Sequence, residues 1–149
     1  MGSKKDNRED QLASQPAAKK PPAPEAVRLF ARARRLLRDA ARAGTATDRF
    51  GLAHLAALRV AAAVIAARSR ASSRPRRLQN AWALLETTAP ELAEWTSYFT
   101  RSAATRAAID QGEISEVSQD DADEQMRAAA EFLKRAERLV SALVATLAS

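Results

Sequence analysis

The sequence contains no cysteine and only four glycines among its 149 residues. The lack of cysteine excludes disulfide bonds and thiolate zinc sites, and with them the small secreted folds that depend on disulfides. Alanine, in contrast, makes up about a quarter of the chain. Because alanine has the highest helix propensity and loses no side-chain entropy on ordering, this composition predicts an all-α protein.

The sequence also lacks a long uncharged apolar run. A membrane span needs about 20 predominantly apolar residues, and the longest candidate, residues 50–67, is interrupted by His54 and Arg59. The first residues are polar and charged, without the apolar stretch that is typical of a signal peptide. We therefore expect a cytoplasmic protein that makes no membrane contact.

Residues 1–24 are polar and rich in alanine, proline and lysine. Apart from Met1, their only large apolar residue is Leu12, so they cannot bury enough surface to offset the entropy lost on ordering. We expect this segment to be a disordered tail. Residues 25–149 then form one helical domain.

Apolar residues recur at steps of three and four through the rest of the chain, which predicts an antiparallel bundle of four to five helices. The predicted helices cover residues 24–43, 47–68, 78–88 and 90–110, followed by a last helix capped by Ser118. Thr47 or Asp48 is the expected N-cap of the second helix, and Gly44 and Gly112 are expected to end the first and fourth. The predicted inner face of the first helix comprises Val27, Phe30, Ala33, Leu37 and Ala40. The second helix is apolar nearly all round, which is typical of the buried centre of a bundle.

Charge is unevenly distributed along the chain. Residues 26–77 hold thirteen arginines against two aspartates, whereas residues 78–149 hold six basic and twelve acidic residues. The basic half could attract an anionic partner such as nucleic acid. Alternatively, helices of the two halves could pack side by side and neutralise each other.

The candidate anion-binding residues are arginines of a serine-rich loop after the second helix. They are Arg68, Arg70, Arg74, Arg76 and Arg77. Flexible arginines can contact phosphates without reading the base sequence. The alternative is a solvated loop that keeps the protein soluble.

Two groups of side chains have structural explanations. Arg59 lies within the apolar second helix, where an unpaired charge is costly, so we expect it to pair with Glu86, Glu91 or Glu94. The aromatic residues at helical spacing are expected in the core rather than on a base-stacking platform; they are Trp82, Trp95, Tyr98 and Phe99.

Three stretches resemble a known family. They are RFGLAHLAALRVAAA at residues 49–63, WALL with PELAEW at residues 82–85 and 90–95, and AD leading to FL at residues 122–123 and 132–133. Together they resemble a small alanine-rich actinobacterial subfamily of the HEPN superfamily (higher eukaryotes and prokaryotes nucleotide-binding domains), over about residues 25–147. The resemblance implies a bundle of four to five helices, often dimeric, that binds RNA or a nucleotide. It also implies a partner protein such as a nucleotidyltransferase.

Many HEPN domains are metal-independent ribonucleases with an Arg-x4-6-His motif, and Arg49 with His54 matches that spacing. A neutral histidine could move a proton from a ribose hydroxyl, and an arginine could stabilise charge on the phosphate. However, His54 also shares a helical face with Leu58, Ala61 and Ile65, as a core histidine would.

Three functions therefore stay open. The first is a non-catalytic RNA-binding, nucleotide-binding or regulatory module, which the sequence favours. The second is a ribonuclease that uses Arg49 and His54, and the third is a structural or oligomerisation bundle. None of the three involves a metal or a cofactor.

Overall fold

The computed structural model describes residues 24–68 and 80–148, and these residues form five α-helices and no β-strand. The helices are α1 (Pro24–Ala41), α2 (Ala46–Arg68), α3 (Ala81–Thr88), α4 (Ala93–Asp110) and α5 (Gln119–Ala148), with a 3-10 turn at Pro90–Leu92 before α4. The predicted all-α bundle is thus confirmed. The tail expected at residues 1–24 lies outside the described residues except for Pro24, and so does the expected start of the third helix at Leu78.

Helix α2 is the centre of the bundle and packs against all four other helices. By length and composition alone it could cross a membrane, but 56% of its most apolar window is buried inside the fold. A helix that is apolar all round and covered by its neighbours is the core helix of a globular bundle. The prediction that the second helix forms the buried centre is therefore confirmed.

The core combines small and large side chains. Ala33 and Ala40 of α1 and Ala53 and Ala57 of α2 are completely buried, and side chains of this size permit close approach of two helix axes. On the other side of α2, the helices α3, α4 and α5 contribute large aromatic residues. As predicted, Trp82 and Phe99 are buried, and Trp95 and Tyr98 pack against the core. Phe132, which was not predicted, is also buried.

The ends of α4 and α5 follow the sequence prediction. Gly112 has a φ of 80°, and the amides of Gly112 and Glu113 bond to the carbonyls of Ile109 and Ala108. This is the pattern of a Schellman motif, which favours glycine because a Cβ is strained at positive φ. Ser118 caps α5 by accepting a 3.0 Å hydrogen bond from the amide of Asp121.

The turn between α1 and α2 corrects three predictions. Helix α1 ends at Ala41 rather than Ala43, and Gly44 does not adopt positive φ. Thr45, not Thr47 or Asp48, caps α2, because its hydroxyl accepts a 3.0 Å hydrogen bond from the amide of Asp48. The hydroxyl of Thr47 instead accepts from the amide of Val117, which ties the segment before α5 to the start of α2.

The inner face of α1 also differs from the prediction at one position. Val27 is 64% exposed, whereas Ala26 is buried. Phe30, Ala33 and Ala40 are buried as predicted. The buried face of α1 therefore begins at Ala26, one residue before the predicted Val27.

Gly51 and Gly112 should respond in opposite ways to alanine substitution. Gly51 lies within α2 and a Cβ there meets no atom within 4 Å, so Gly51→Ala should raise the free energy of unfolding by about 0.5–1 kcal/mol. Gly112→Ala should lower it by about 1 kcal/mol because of the positive φ. Urea unfolding followed by circular dichroism checks both, and changes of the same sign would contradict the backbone assignment.

Candidate functional site

His54 lies in the middle of α2 and faces the interior, with only 2% of its surface exposed. Its ring meets Trp82 of α3 and Phe99 of α4 in edge-to-face contacts, each with 5.9 Å between ring centroids. Trp82 and Phe99 are themselves stacked at 5.3 Å. The imidazole is therefore one member of an aromatic cluster that joins three helices.

The polar contact of His54 is with Ser102 of α4. Nδ1 of His54 and Oγ of Ser102 share a 2.8 Å hydrogen bond inside the core, and Ser102 is itself buried. A buried polar group is stable only when it is hydrogen-bonded. This pair therefore fixes α4 against α2 at one position along the two helices.

Burial keeps His54 neutral. Loss of hydration, reinforced by the positive charge of Arg106 one helical turn beyond Ser102, lowers the pKa of His54 from 6.5 to about 4. Burial disfavours the charged imidazolium, and a nearby cation disfavours it further. At neutral pH the ring is an uncharged core side chain.

Arg49 makes its contacts at the end of the bundle. Its guanidinium donates to Oε1 of Gln119 at 2.9 Å and to Oδ1 of Asp123 at 3.3 Å, both in the first turns of α5. It also reaches the carbonyl of Ala43 at 3.5 Å, in the turn after α1. Arg49 thus holds the start of α2, the start of α5 and the end of α1 together.

The structure gives Arg49 and His54 separate partners on different helices. Five residues of helix separate their side chains by about 140° around the axis and about 7.5 Å along it. The geometry therefore does not join the two residues into one site within this chain. Their joint role in catalysis stays a prediction from the motif.

Arg68 is the one candidate anion-binding residue within the described ranges. It forms a two-pronged ion pair with Glu91, at 3.0 and 2.8 Å, and donates to the carbonyl of Thr88 at 3.0 Å. The hydrogen bond from Arg68 lowers the pKa of Glu91 to about 2. The guanidinium thus joins the end of α2 to the turn before α4. Arg70, Arg74, Arg76 and Arg77 lie outside the described residues.

Three ion pairs connect the basic and acidic halves of the sequence. They join Arg34 to Glu137, Arg49 to Asp123 and Arg68 to Glu91. The halves therefore neutralise each other only in part, since other arginines of α1 form no ion pair within the described residues. The expected ion pair of Arg59 with Glu86, Glu91 or Glu94 is wrong. Arg59 forms no ion pair with a described residue, and Glu91 binds Arg68 instead.

Ser102 and Arg106 are the residues around His54 that sequence reasoning missed. They lie four residues apart on α4, so both face the same direction. No local sequence pattern connects them with His54, because Ser102 is 48 residues away in the chain. Within the described ranges, no group of three or more histidine or carboxylate side chains could hold a metal ion.

Removal of the Ser102 hydroxyl tests the buried pair. Ser102→Ala should lower the free energy of unfolding by about 1–3 kcal/mol, because it leaves a buried imidazole nitrogen without its partner. Ser97→Ala is the matched control, since Ser97 is exposed on the same helix, and it should change stability by less than about 0.5 kcal/mol. Equal effects of the two substitutions in urea unfolding would contradict the role of the hydrogen bond.

The lowered pKa of His54 predicts a pH dependence. The unfolded chain takes up a proton near pH 6.5, whereas the folded chain resists protonation down to about pH 4. Stability should therefore fall by about 2 kcal/mol between pH 7 and pH 5, since the unfolded state binds more protons in that window.

His54→Gln provides the control for this pH dependence, because glutamine does not titrate. Urea unfolding of this variant should show a much smaller loss of stability between pH 7 and pH 5. A loss as large as that of the wild type would show that other groups cause it.

Comparison with known proteins identifies the family of the domain. Neither the comparison with curated proteins nor that with solved structures gives a match. The model of the SAV_6107-like HEPN family matches residues 40–137, about two thirds of the chain. That stretch runs from the end of α1 through most of α5, and so includes the aromatic cluster, the His54–Ser102 pair and the contacts of Arg49. The chain belongs to the SAV_6107-like HEPN family.

Proposed function

We propose that this protein is a non-catalytic HEPN module that binds RNA. The observation that carries the non-catalytic assignment is the position of His54, which is sealed in the core, neutral and bonded to Ser102. A general acid or base must come within hydrogen-bond reach of the group that it protonates or deprotonates. A side chain that is 2% exposed and surrounded by Trp82 and Phe99 does not meet a polymer substrate in this conformation.

The position of Arg49 supports the same proposal. Its guanidinium donates hydrogen bonds to Gln119 and Asp123 of α5. An arginine that stabilises charge on a phosphate would have to give up these bonds and approach a substrate beside a carboxylate. Arg49 and His54 each have a structural role, which explains their presence without a reaction.

RNA is the partner class that the charge of the chain favours. Within the described residues, most arginines of α1 are exposed and have no carboxylate partner, and exposed arginines are suited to phosphate contacts. Membership of the HEPN family is consistent with an RNA or nucleotide ligand. We place the protein in the cytoplasm, where RNA is available, and we take a second copy or a nucleotidyltransferase as its candidate protein partner.

A cleavage and binding assay in EDTA tests this proposal. The full chain should bind single-stranded RNA in low salt and release it as salt rises, because phosphate contacts displace counterions. Over the same time it should leave the RNA intact. Gel analysis measures cleavage, and fluorescence anisotropy measures binding.

His54→Gln and Arg49→Lys serve as the matched variants. If the wild type cleaves RNA in EDTA and both variants are folded but inactive, the ribonuclease hypothesis replaces our proposal. If the wild type neither binds nor cleaves RNA, the module is a structural or oligomerisation bundle, and sedimentation of the chain should then reveal a stable oligomer.

A further inference from the structure

The outer face of α1 carries a row of arginines. We define the α1 arginine face as Arg28, Arg32, Arg35, Arg38 and Arg42. At 100° per residue the four arginines within α1, Arg28 to Arg38, lie within about 120° of the helix circumference and extend about 15 Å along the axis. Arg42 directly follows the end of the helix at Ala41. All five are exposed, whereas Ala26, Phe30, Ala33 and Ala40 face the core on the opposite side.

Three described arginines have carboxylate partners, and none of the three belongs to the α1 arginine face. Arg34 bonds to Glu137 of α5, Arg49 to Asp123 and Arg68 to Glu91. The five residues of the α1 arginine face form no ion pair with another described residue. Asp39 is the one acidic residue among them, which leaves a net charge of +4 on this face.

The acidic residues of the second half are concentrated at one end of the bundle, next to the turn that follows α1, because Arg49 joins the start of α5 to the carbonyl of Ala43. The segment from the end of α4 to the second turn of α5 exposes seven carboxylates and no basic side chain; they belong to Asp110, Glu113, Glu116, Asp120, Asp121, Asp123 and Glu124. An anionic polymer is repelled by this end of the bundle and attracted by the arginines of α1 that lie farther from it, toward Arg28. The charge of the fold therefore favours one face for a polyanion.

From these observations we infer that the α1 arginine face is the surface on which the protein docks single-stranded RNA, through the phosphate backbone and without reading bases. This inference rests on the proposed function and assigns the surface that performs it. The α1 arginine face is a second candidate RNA-binding site, and unlike most of the candidate loop arginines it lies within the described residues.

The shape of the face determines the kind of contact. The face is the exposed side of a helix whose other side is buried in the bundle. The major groove of duplex RNA is too deep and narrow to admit such a helix, so the face is suited to the backbone of a single strand. A length of about 15 Å corresponds to roughly four stacked nucleotides of one strand. The exposed side of α1 presents no aromatic residue, since Phe30 is buried, and therefore offers bases no stacking platform.

A pair of charge-matched double variants tests the inference. Arg32→Gln with Arg35→Gln removes two charges from the centre of the α1 arginine face. Arg101→Gln with Arg127→Gln removes two exposed arginines from α4 and α5, so the net charge of the two double variants is the same. Anisotropy with labelled oligouridine, repeated over a range of salt concentrations, measures the affinity of the full chain for RNA.

The α1 double variant should bind oligouridine about tenfold more weakly than the wild type, and the slope of log affinity against log salt should become shallower by about 1.4. The control double variant should change affinity by less than about twofold. Asp39→Asn should bind several-fold more tightly, because it removes the one negative charge from the face. A misfolded variant would not bind more tightly, so this gain cannot arise from misfolding. The substitution should also leave α1 intact, because a carboxylate near a helix C-terminus does not stabilise the helix.

The other outcomes separate the inference from the proposed function. If the wild type binds oligouridine and the α1 double variant binds it equally well, or if both double variants weaken it equally, the α1 surface is wrong and the RNA-binding function stands. If the wild type does not bind oligouridine even in low salt, the proposed function and this surface both fail. Binding to vesicles that contain phosphatidylserine, with no RNA binding, would identify α1 as a membrane-docking face and overturn the assignment to RNA.

Discussion

The close packing of α2 against its neighbours is the constraint on which the rest of the structure depends. On one side, alanines such as Ala53 and Ala57 meet the alanines of α1. On the other side, the bulk is supplied by Trp82, Phe99 and Phe132 from three different helices. A core of this kind gains dispersion and hydrophobic energy only when small and large residues face each other in register. The positions of α1 and of the α3–α5 group are therefore both set by the surface of one helix.

The buried hydrogen bond between His54 and Ser102 follows from the same constraint. Because α2 is packed against four helices, a histidine on its buried face is stable only if it is neutral and hydrogen-bonded. Ser102 supplies the bond, and burial with the field of Arg106 keeps the ring uncharged. A buried polar pair of this type stabilises one alignment of two helices over alignments in which one helix is shifted along the other. The motif that suggests an enzyme thus has a specific function in holding α4 against α2.

Charge is distributed by a different rule. Arginines that lie between elements bind carboxylates and join helix ends, as Arg49 and Arg68 do. Arginines on the solvent side of α1 have no such partner within the described residues, and the acidic residues are gathered at the other end of the sequence around the start of α5. The core is indifferent to this asymmetry, because none of these side chains is buried. The asymmetry is available for recognition of an anion, which connects the electrostatics of the fold with the RNA-binding function that we propose.

The sequence by itself determined the helices, the central place of α2, the aromatic core and the Gly112 and Ser118 boundaries, because helix propensity, apolar period and capping are local properties. It misplaced the cap of α2 at Thr47 or Asp48, since Thr45 and Thr47 are equivalent candidates until Val117 takes the second hydroxyl. Only the tertiary structure decided what His54 does. Its partner is 48 residues away in the chain, and burial and pKa are properties of the assembled core that no local pattern contains.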